Sequence, residues 1–418
     1  MFETTVLDNG LRIISARLPS VATSVGVYVG VGARNEDLAN ERGLSHYLEH
    51  MAFKGTKHRT CEEIARQIEY SGGATNAATS HTKTYYYARV INTEVQKVAE
   101  IILDNVFNSI FPVNDIESER NVIKQEIKMI SDRPNAVAFY NLIEALWPDQ
   151  AVGSNIIGTS SDLDRYTQES FQNYVAKWYV PNNVILVAAG DVDHRELVRT
   201  AMSHAGDFQK RELDPIQPAN IVGGLKTFDK DYQQVNLLMG WPATPYSDIR
   251  KKTATNLMVD YISGGMSSPL FVEVREKRGL VYGVGGGYMP HSDTGAFYIG
   301  AGAEAKNIDE IINVSMDVLN TYKTIDMWQL ERAKNQYKLE VMKNAESASA
   351  MMSYMGNSWI AGDKYLRPVE QVIEEIDSIT SDEISAIISE ILDSQMSFSM
   401  VGPVWDSSIK LAENLVGK

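Results

Sequence analysis

Gly43-Leu44-Ser45-His46-Tyr47-Leu48-Glu49-His50-Met51 is the stretch on which both fold and chemistry turn. His46 and His50 are four residues apart, so on a helix both imidazoles project from one face. Two imidazoles at that spacing can share one Zn2+. Glu49 follows His46 by three residues and lies on nearly the same face, within reach of a water at such a metal. The order mirrors the better-known H-E-x-x-H arrangement, with the base beside the second histidine. The chain has only seven histidines, so chance seldom assembles this pattern. The bland alternative is a helix with two surface histidines.

A catalytic zinc takes three protein ligands and keeps one position open. Downstream, Glu117-Ser118-Glu119-Arg120-Asn121-Val122-Ile123-Lys124-Gln125-Glu126-Ile127 offers two candidates. Glu119 and Glu126 are seven residues apart, which puts them on one helical face. One can ligate while the other supports the site from behind. Alone, such a pair is usually a solvated helix face.

Around this core the chain alternates strands and helices. The Asn9-Gly10 turn before Leu11-Arg12-Ile13-Ile14 suggests a hairpin. Val25 to Val31 and Thr84 to Val90 read as strands. Thr60-Cys61-Glu62-Glu63 is a capping box that opens a helix. Val95 to Val106 is amphipathic, and Asn114 is expected to cap a helix running to about Ile130. Helical period is lost from Gly206 to Tyr232, where Pro215, Pro218, Gly223 and Gly224 cluster. Beyond it the pattern returns: Thr82 to Tyr86 echoes Thr294 to Tyr298, and Glu119-Arg120 echoes Glu331-Arg332, both at an offset of 212. The expectation is an α+β chain made by internal duplication, with domains at 1–215 and 216–418, each a mainly antiparallel sheet covered by helices. At the same offset Glu126 meets Lys338 and no H-x-x-E-H occurs, so the second half has no metal site of its own.

Composition narrows the function classes. Of 418 residues, 44% are hydrophobic and 22% charged, an ordinary globular mixture. The net charge of −15 argues against a dedicated nucleic-acid binder. The single cysteine, Cys61, excludes an intramolecular disulfide. The opening residues have neither a basic nor an apolar leader pattern, and no stretch has the length of a membrane helix. A cytoplasmic, bacterial protein is expected, with no nucleic-acid or membrane partner.

H-x-x-E-H followed by a glutamate 76 residues after His50 resembles the pitrilysin-type (inverzincin) zinc peptidases. These include insulin-degrading enzyme and the β-subunit of the mitochondrial processing peptidase. The resemblance extends through Gly32-Ala33-Arg34, Glu49 to Thr56, Tyr179-Val180-Pro181-Asn182-Asn183 and Gly264-Gly265-Met266-Ser267-Ser268. It implies a zinc endopeptidase with one Zn2+ per chain. His46, His50 and Glu126 would be the metal ligands, Glu49 the base and Glu119 the supporting carboxylate. It also implies that Arg275 and Tyr282, in Arg275-Glu276-Lys277-Arg278-Gly279-Leu280-Val281-Tyr282, grip the substrate and its developing oxyanion. Ser71 to Ser80 corresponds to an edge strand that pairs with extended, unfolded peptide through residues such as Asn76 and Ala77. Two copies are expected to close as a clamshell homodimer.

Some residues depart from the family pattern. Ala78 stands where a tyrosine is usual, and Thr82 where a glutamate is usual. Ala136 and Tyr140 stand where presequence-processing relatives place acids that hold a substrate arginine. The rival expectations are a narrow processing protease that trims N-terminal extensions and a non-catalytic partner subunit. Gly283, Gly285, Gly286 and Gly287 are expected to serve close strand packing, not nucleotide binding. Cys61 and the remaining histidines read as ordinary.

Overall fold

The computed structural model describes residues 2–417, apart from the side chain of Asp363. The first sheet contains β1 (Phe2–Val6), β2 (Arg12–Arg17), β3 (Ala22–Val29), β4 (Ala74–Thr79), β5 (Thr84–Ile91) and β6 (Val184–Gly190), in the order β1-β2-β6-β3-β5-β4. The Asn9-Gly10 turn joins β1 to β2 as expected, with Gly10 at φ +91°. The second sheet contains β7 (Gly224–Phe228), β8 (Val235–Pro242), β9 (Val284–Pro290), β10 (Gly295–Ala303) and β11 (Ser397–Val401), in the order β7-β11-β8-β10-β9. Without β1 the two orders are the same. Each has one parallel pair, β2 with β6 and β7 with β11, and the rest are antiparallel. The duplicated α+β fold is therefore present.

The helices that matter for the site are α1 (Leu44–Met51), α2 (Cys61–Tyr70), α3 (Val95–Asn108) and α4 (Val113–Ser131). They are followed by α5 (Pro134–Leu146), α6 (Ile249–Ser263), α7 (Met327–Glu346) and α8 (Ala348–Ala361). Thr60 caps α2 with the reciprocal Glu63 bond read from the sequence. Asn114 does not cap α4. The amides of Asp115 and Ile116 bond to the Pro112 carbonyl, so the helix starts two residues earlier than an Asn114 cap would set it. Proline is suited to a helix start because its φ is preset and it brings no amide needing a partner.

The packing units are not the contiguous halves 1–215 and 216–418. One comprises Met1–Ile127, Ser154–Gln217 and Lys343–Pro368, and the other Lys128–Gly153, Pro218–Met342 and Val369–Lys418. The repeats have traded a helix. In the first unit α8 lies on β3 and β6, where Met351, Met352 and Met355 cover Ile14, Tyr28, Ile185 and Val187. Gly356 permits this approach, since a Cβ there would fall 2.5 Å from the Tyr28 ring. In the second unit α5 lies on β8 and β11, with Leu142, Leu146 and Trp147 in its core. Each sheet needs an apolar cover, and either helix supplies one.

The glycine cluster divides. A Cβ on Gly286 or Gly287 would collide with Ser263 or Tyr298, as close packing requires, but Gly283 and Gly285 face open space. Among the described residues no helix is long and apolar enough to cross a membrane.

Candidate metal centre

The site begins with a helix that cannot hold itself. α1 has eight residues, and a helix so short is marginal in water. Gly43 opens it at φ +82°, where a Cβ would lie 2.7 Å from the Ile157 carbonyl oxygen. The buried Glu36 accepts from Gly43 N at 2.8 Å and from Ser45 N at 2.7 Å, satisfying first-turn amides. Burial pushes the Glu36 carboxyl up to about 8, against the pull of the Ser45 and Gly43 donors. Ser45 Oγ bonds to Tyr174 OH at 2.7 Å. Tyr47 donates its hydroxyl to the Ile116 carbonyl and so ties α1 to α4. On α4, Arg120 donates to the carbonyls of Leu163 at 2.9 Å and Tyr166 at 2.7 Å, which sets the rotation of that helix.

With both helices fixed, the donors converge. Glu126 Oε2 lies 3.8 Å from His46 Nε2 and 3.6 Å from His50 Nε2. One ligand atom from each of the three residues falls within 4.8 Å of the others. Glu119 is turned elsewhere. Its Oε2 stands 3.0 Å from His50 Nδ1, and its Oε1 pairs with Lys54 Nζ at 2.6 Å. It therefore orients the ring from behind, as carboxylates behind metal-binding histidines do. Glu49 accepts from Thr79 Oγ1 at 2.6 Å, which sets the H-x-x-E-H helix against the last residue of β4.

The electrostatics suit a cation. Burial, then the neighbouring His50, push His46 down to about 4, leaving a neutral imidazole. The His50 bond holds Glu126 below the usual carboxylate range, with burial opposing it. Burial would raise Glu119, but the bonds from Lys54 and His50 outweigh it and lower the carboxyl. Burial raises Glu49, opposed by the Thr79 bond. His46 Nδ1 is buried with no hydrogen-bond partner among the described residues. Two imidazoles and one ionised carboxylate are the donor set of an open zinc site, and these residues fit that ion.

The edge-strand expectation is met in position: β4 ends the first sheet, and Asn76 and Ala77 pair with Tyr87 and Tyr86 of β5. Ala77 N donates to Asn76 Oδ1 at 2.9 Å. Arg275 and Tyr282 belong to the second packing unit and are brought together with each other. The Arg275 guanidinium sits 4.7 Å from the Phe271 ring centroid and 5.2 Å from that of Tyr282. Arg275 rides on a widened turn, Val272–Glu276, closed by Lys277 N to the Val272 carbonyl. Such π-type turns recur at functional sites. Tyr282 is 87% exposed.

Three residues of this neighbourhood were not singled out by sequence. Lys54 had a signal, standing four residues after His50 within the Glu49 to Thr56 word. Thr79 had none because its partner Glu49 lies 30 residues away, and Glu36 had none because a lone glutamate seven and nine residues before the amides it accepts from forms no periodic pattern. In the second repeat, the offset of 212 sets Met258, Tyr261 and Ile262 against His46, Glu49 and His50. All three are fully buried on α6.

One H-x-x-E-H helix, a glutamate pair on a facing helix and a duplicated α+β frame together define the inverzincin class. Residues 12–160 match the family model described as Insulinase (Peptidase family M16), and residues 165–337 that described as Peptidase M16 inactive domain. The chain is 33% identical over 404 residues to an uncharacterized zinc protease of Rickettsia felis, covering 96% of this chain and 98% of the relative. It is 31% identical over 408 residues to an uncharacterized zinc protease of Mycobacterium leprae, covering 96% and 91%. The fold is similar to that of a solved protease from Helicobacter pylori, with a TM-score of 0.87, 20% identity and coverage of 96% and 99%. The chain belongs to peptidase family M16. The names of its relatives make zinc the implied metal.

Proposed function

We propose that the chain is a zinc-dependent endopeptidase that hydrolyses unfolded peptides held in extended form along β4. One observation carries this reading: the convergence of His46, His50 and Glu126 lies beside Glu49, and Glu49 is hydrogen-bonded to Thr79 on an unpaired sheet edge. His46 Nε2, His50 Nε2 and a Glu126 oxygen would hold the metal. Zinc, when bound, acidifies a water and polarises a carbonyl. Glu49 takes the proton from the attacking water and later delivers it to the leaving amine. The main chain of β4 aligns the peptide by strand addition, which selects little for sequence. Arg275 and Tyr282 donate to the substrate backbone and the developing oxyanion. Glu119, anchored by Lys54, keeps His50 oriented. The assembly proposed is a homodimer that encloses the peptide and excludes folded proteins.

The test is mass spectrometry of a mixed pool of unstructured peptides incubated with and without a chelator. Chelator-sensitive cleavage at many sites is expected, with at least ~10^3-fold loss in Glu49→Gln while zinc is retained. Cleavage confined to one motif would favour a processing protease. Full activity of Glu49→Gln would sink the mechanism.

A further inference from the structure

The face of β4 opposite the metal helix carries a second kind of information. Thr79 points toward Glu49, and side chains alternate along a strand, so Thr75 and Ala77 share its face while Asn76 and Ala78 take the other. On that other face the register makes one cross-strand row: Tyr28 of β3 opposite Tyr85 of β5, and Tyr85 opposite Ala78 of β4. Tyr28 and Tyr85 stack at 4.8 Å with 7° between planes, and Tyr87 stacks on Tyr85 at 5.6 Å. Lys83, also on this face, holds its ammonium 5.6 Å from the Tyr85 ring centroid and bonds to Asn357 of α8.

The row therefore runs aromatic, aromatic, methyl, and then ends at the open edge. A strand added to β4 extends it by one residue, with neighbouring strands roughly 5 Å apart. Cross-strand pairs of aromatic residues with aromatic or other large apolar side chains are the favourable ones on a sheet face. Because Ala78 rises no higher than a methyl group, a long side chain on the added strand can lean across it onto the Tyr85 ring. The Lys83 charge at the same ring repels a cation there. Resting on the strand-addition reading above, we infer that the peptide residue lying beside Ala78 is selected for a large apolar or aromatic side chain and against arginine and lysine. Tyr85 is the specificity-determining surface, Ala78 the gap that exposes it and Lys83 the charge filter.

The experiment is a cleavage profile of a degenerate peptide library by the zinc-loaded chain. Phe, Tyr, Leu and Met should be enriched about fivefold at one fixed position near the scissile bond, with Arg and Lys depleted there. Ala78→Tyr should bring that enrichment to about one, and Lys83→Glu should reverse the depletion of cations. A flat wild-type profile, or one unchanged in both variants, overturns the inference while leaving the peptidase reading intact. A parallel readout needs no turnover: fluorescence anisotropy of labelled peptides carrying Phe, Ala or Arg at each position in turn, bound to Glu49→Gln. Phe-dependent binding without any wild-type cleavage would sustain the row and overturn the peptidase reading. Neither cleavage nor Phe-dependent binding would overturn both. If Ala78→Tyr fails to fold by circular dichroism, the wild-type and Lys83→Glu profiles decide.

Discussion

Helices α1 and α6 occupy matching places in the two repeats, yet one presents chemistry and the other is core. His46, Glu49 and His50 on α1 correspond to Met258, Tyr261 and Ile262 on α6, each fully buried. Glu126 on α4 corresponds at the same offset to Lys338 on α7, which pairs with Asp377 at 2.7 Å. The fold tolerates either solution, so the metal-ligand set resides in side chains and not in the architecture. The polar solution needs more scaffolding. α6 is capped by the exposed Asp248, which accepts from Lys251 N at 2.9 Å. α1 relies on the buried Glu36, on Tyr174 and on the Tyr47 bond to α4. Burying imidazoles and carboxylates is costly unless they are paired, and Lys54 with Glu119 pairs the cluster behind His50, while His46 Nδ1 has no hydrogen-bond partner among the described residues.

The comparison breaks most severely if charge is placed in the apolar repeat. Tyr261 accepts from Asp326 N at 3.0 Å and donates to the Tyr322 carbonyl from a fully buried site. Tyr261→Glu should cost about 3–5 kcal/mol in urea denaturation. An unchanged midpoint would contradict the description of α6 as core. Glu49→Gln in the other repeat should leave the midpoint within about 1 kcal/mol, since Thr79 can still donate to the amide oxygen.

A smaller effect is expected behind the metal helix. Lys54→Met removes the anchor of Glu119 and should weaken zinc binding about 10–100-fold, read by competition with a chromophoric chelator. Lys54→Arg should restore much of it. Equal affinities for Met and Arg would detach Lys54 from the site.

A further effect is spread over pH. The Glu36 carboxyl rises from 4.5 to about 8 in the fold. The folded chain therefore keeps a proton that the unfolded chain releases in that window. The stability contributed is full below the lower value and is lost as the pH climbs through the upper one. Thermal midpoints should fall across this window, and Glu36→Gln should flatten the slope. A slope that persists unchanged would assign it to other groups. On the corresponding helix of the second repeat burial raises the Asp260 carboxyl to about 6, so the part of the slope between there and about 8 is the part that Glu36→Gln should remove.

Much of this was legible in the sequence, for local reasons. His46, Glu49 and His50 share a helix face by spacing alone, and the Glu119/Glu126 pair does the same on α4. The repeat was visible because equivalent strands keep their order and offset. The choice of Glu126 over Glu119 as the inward carboxylate came from resemblance, because spacing treats the two alike; the rotation that separates them is set by Arg120 and the distant carbonyls of Leu163 and Tyr166. The exchange of α5 and α8 was hidden because both helices are largely apolar, and either can cover either sheet. Thr79 and Glu36 were hidden because a lone threonine and a lone glutamate carry no periodic signal. The difference between Gly285, facing open space, and Gly287, pressed on Tyr298, depends on neighbours that sequence does not display.

The most direct test of the central claim is the zinc content of the purified chain and its single variants, by inductively coupled plasma mass spectrometry. One zinc per chain is expected for the wild type, for Glu49→Gln and for Lys338→Ala, and none for His46→Ala, His50→Ala or Glu126→Ala. Two zinc ions per chain, or one retained when His50 or Glu126 is removed, would contradict a single metal centre built by the first repeat.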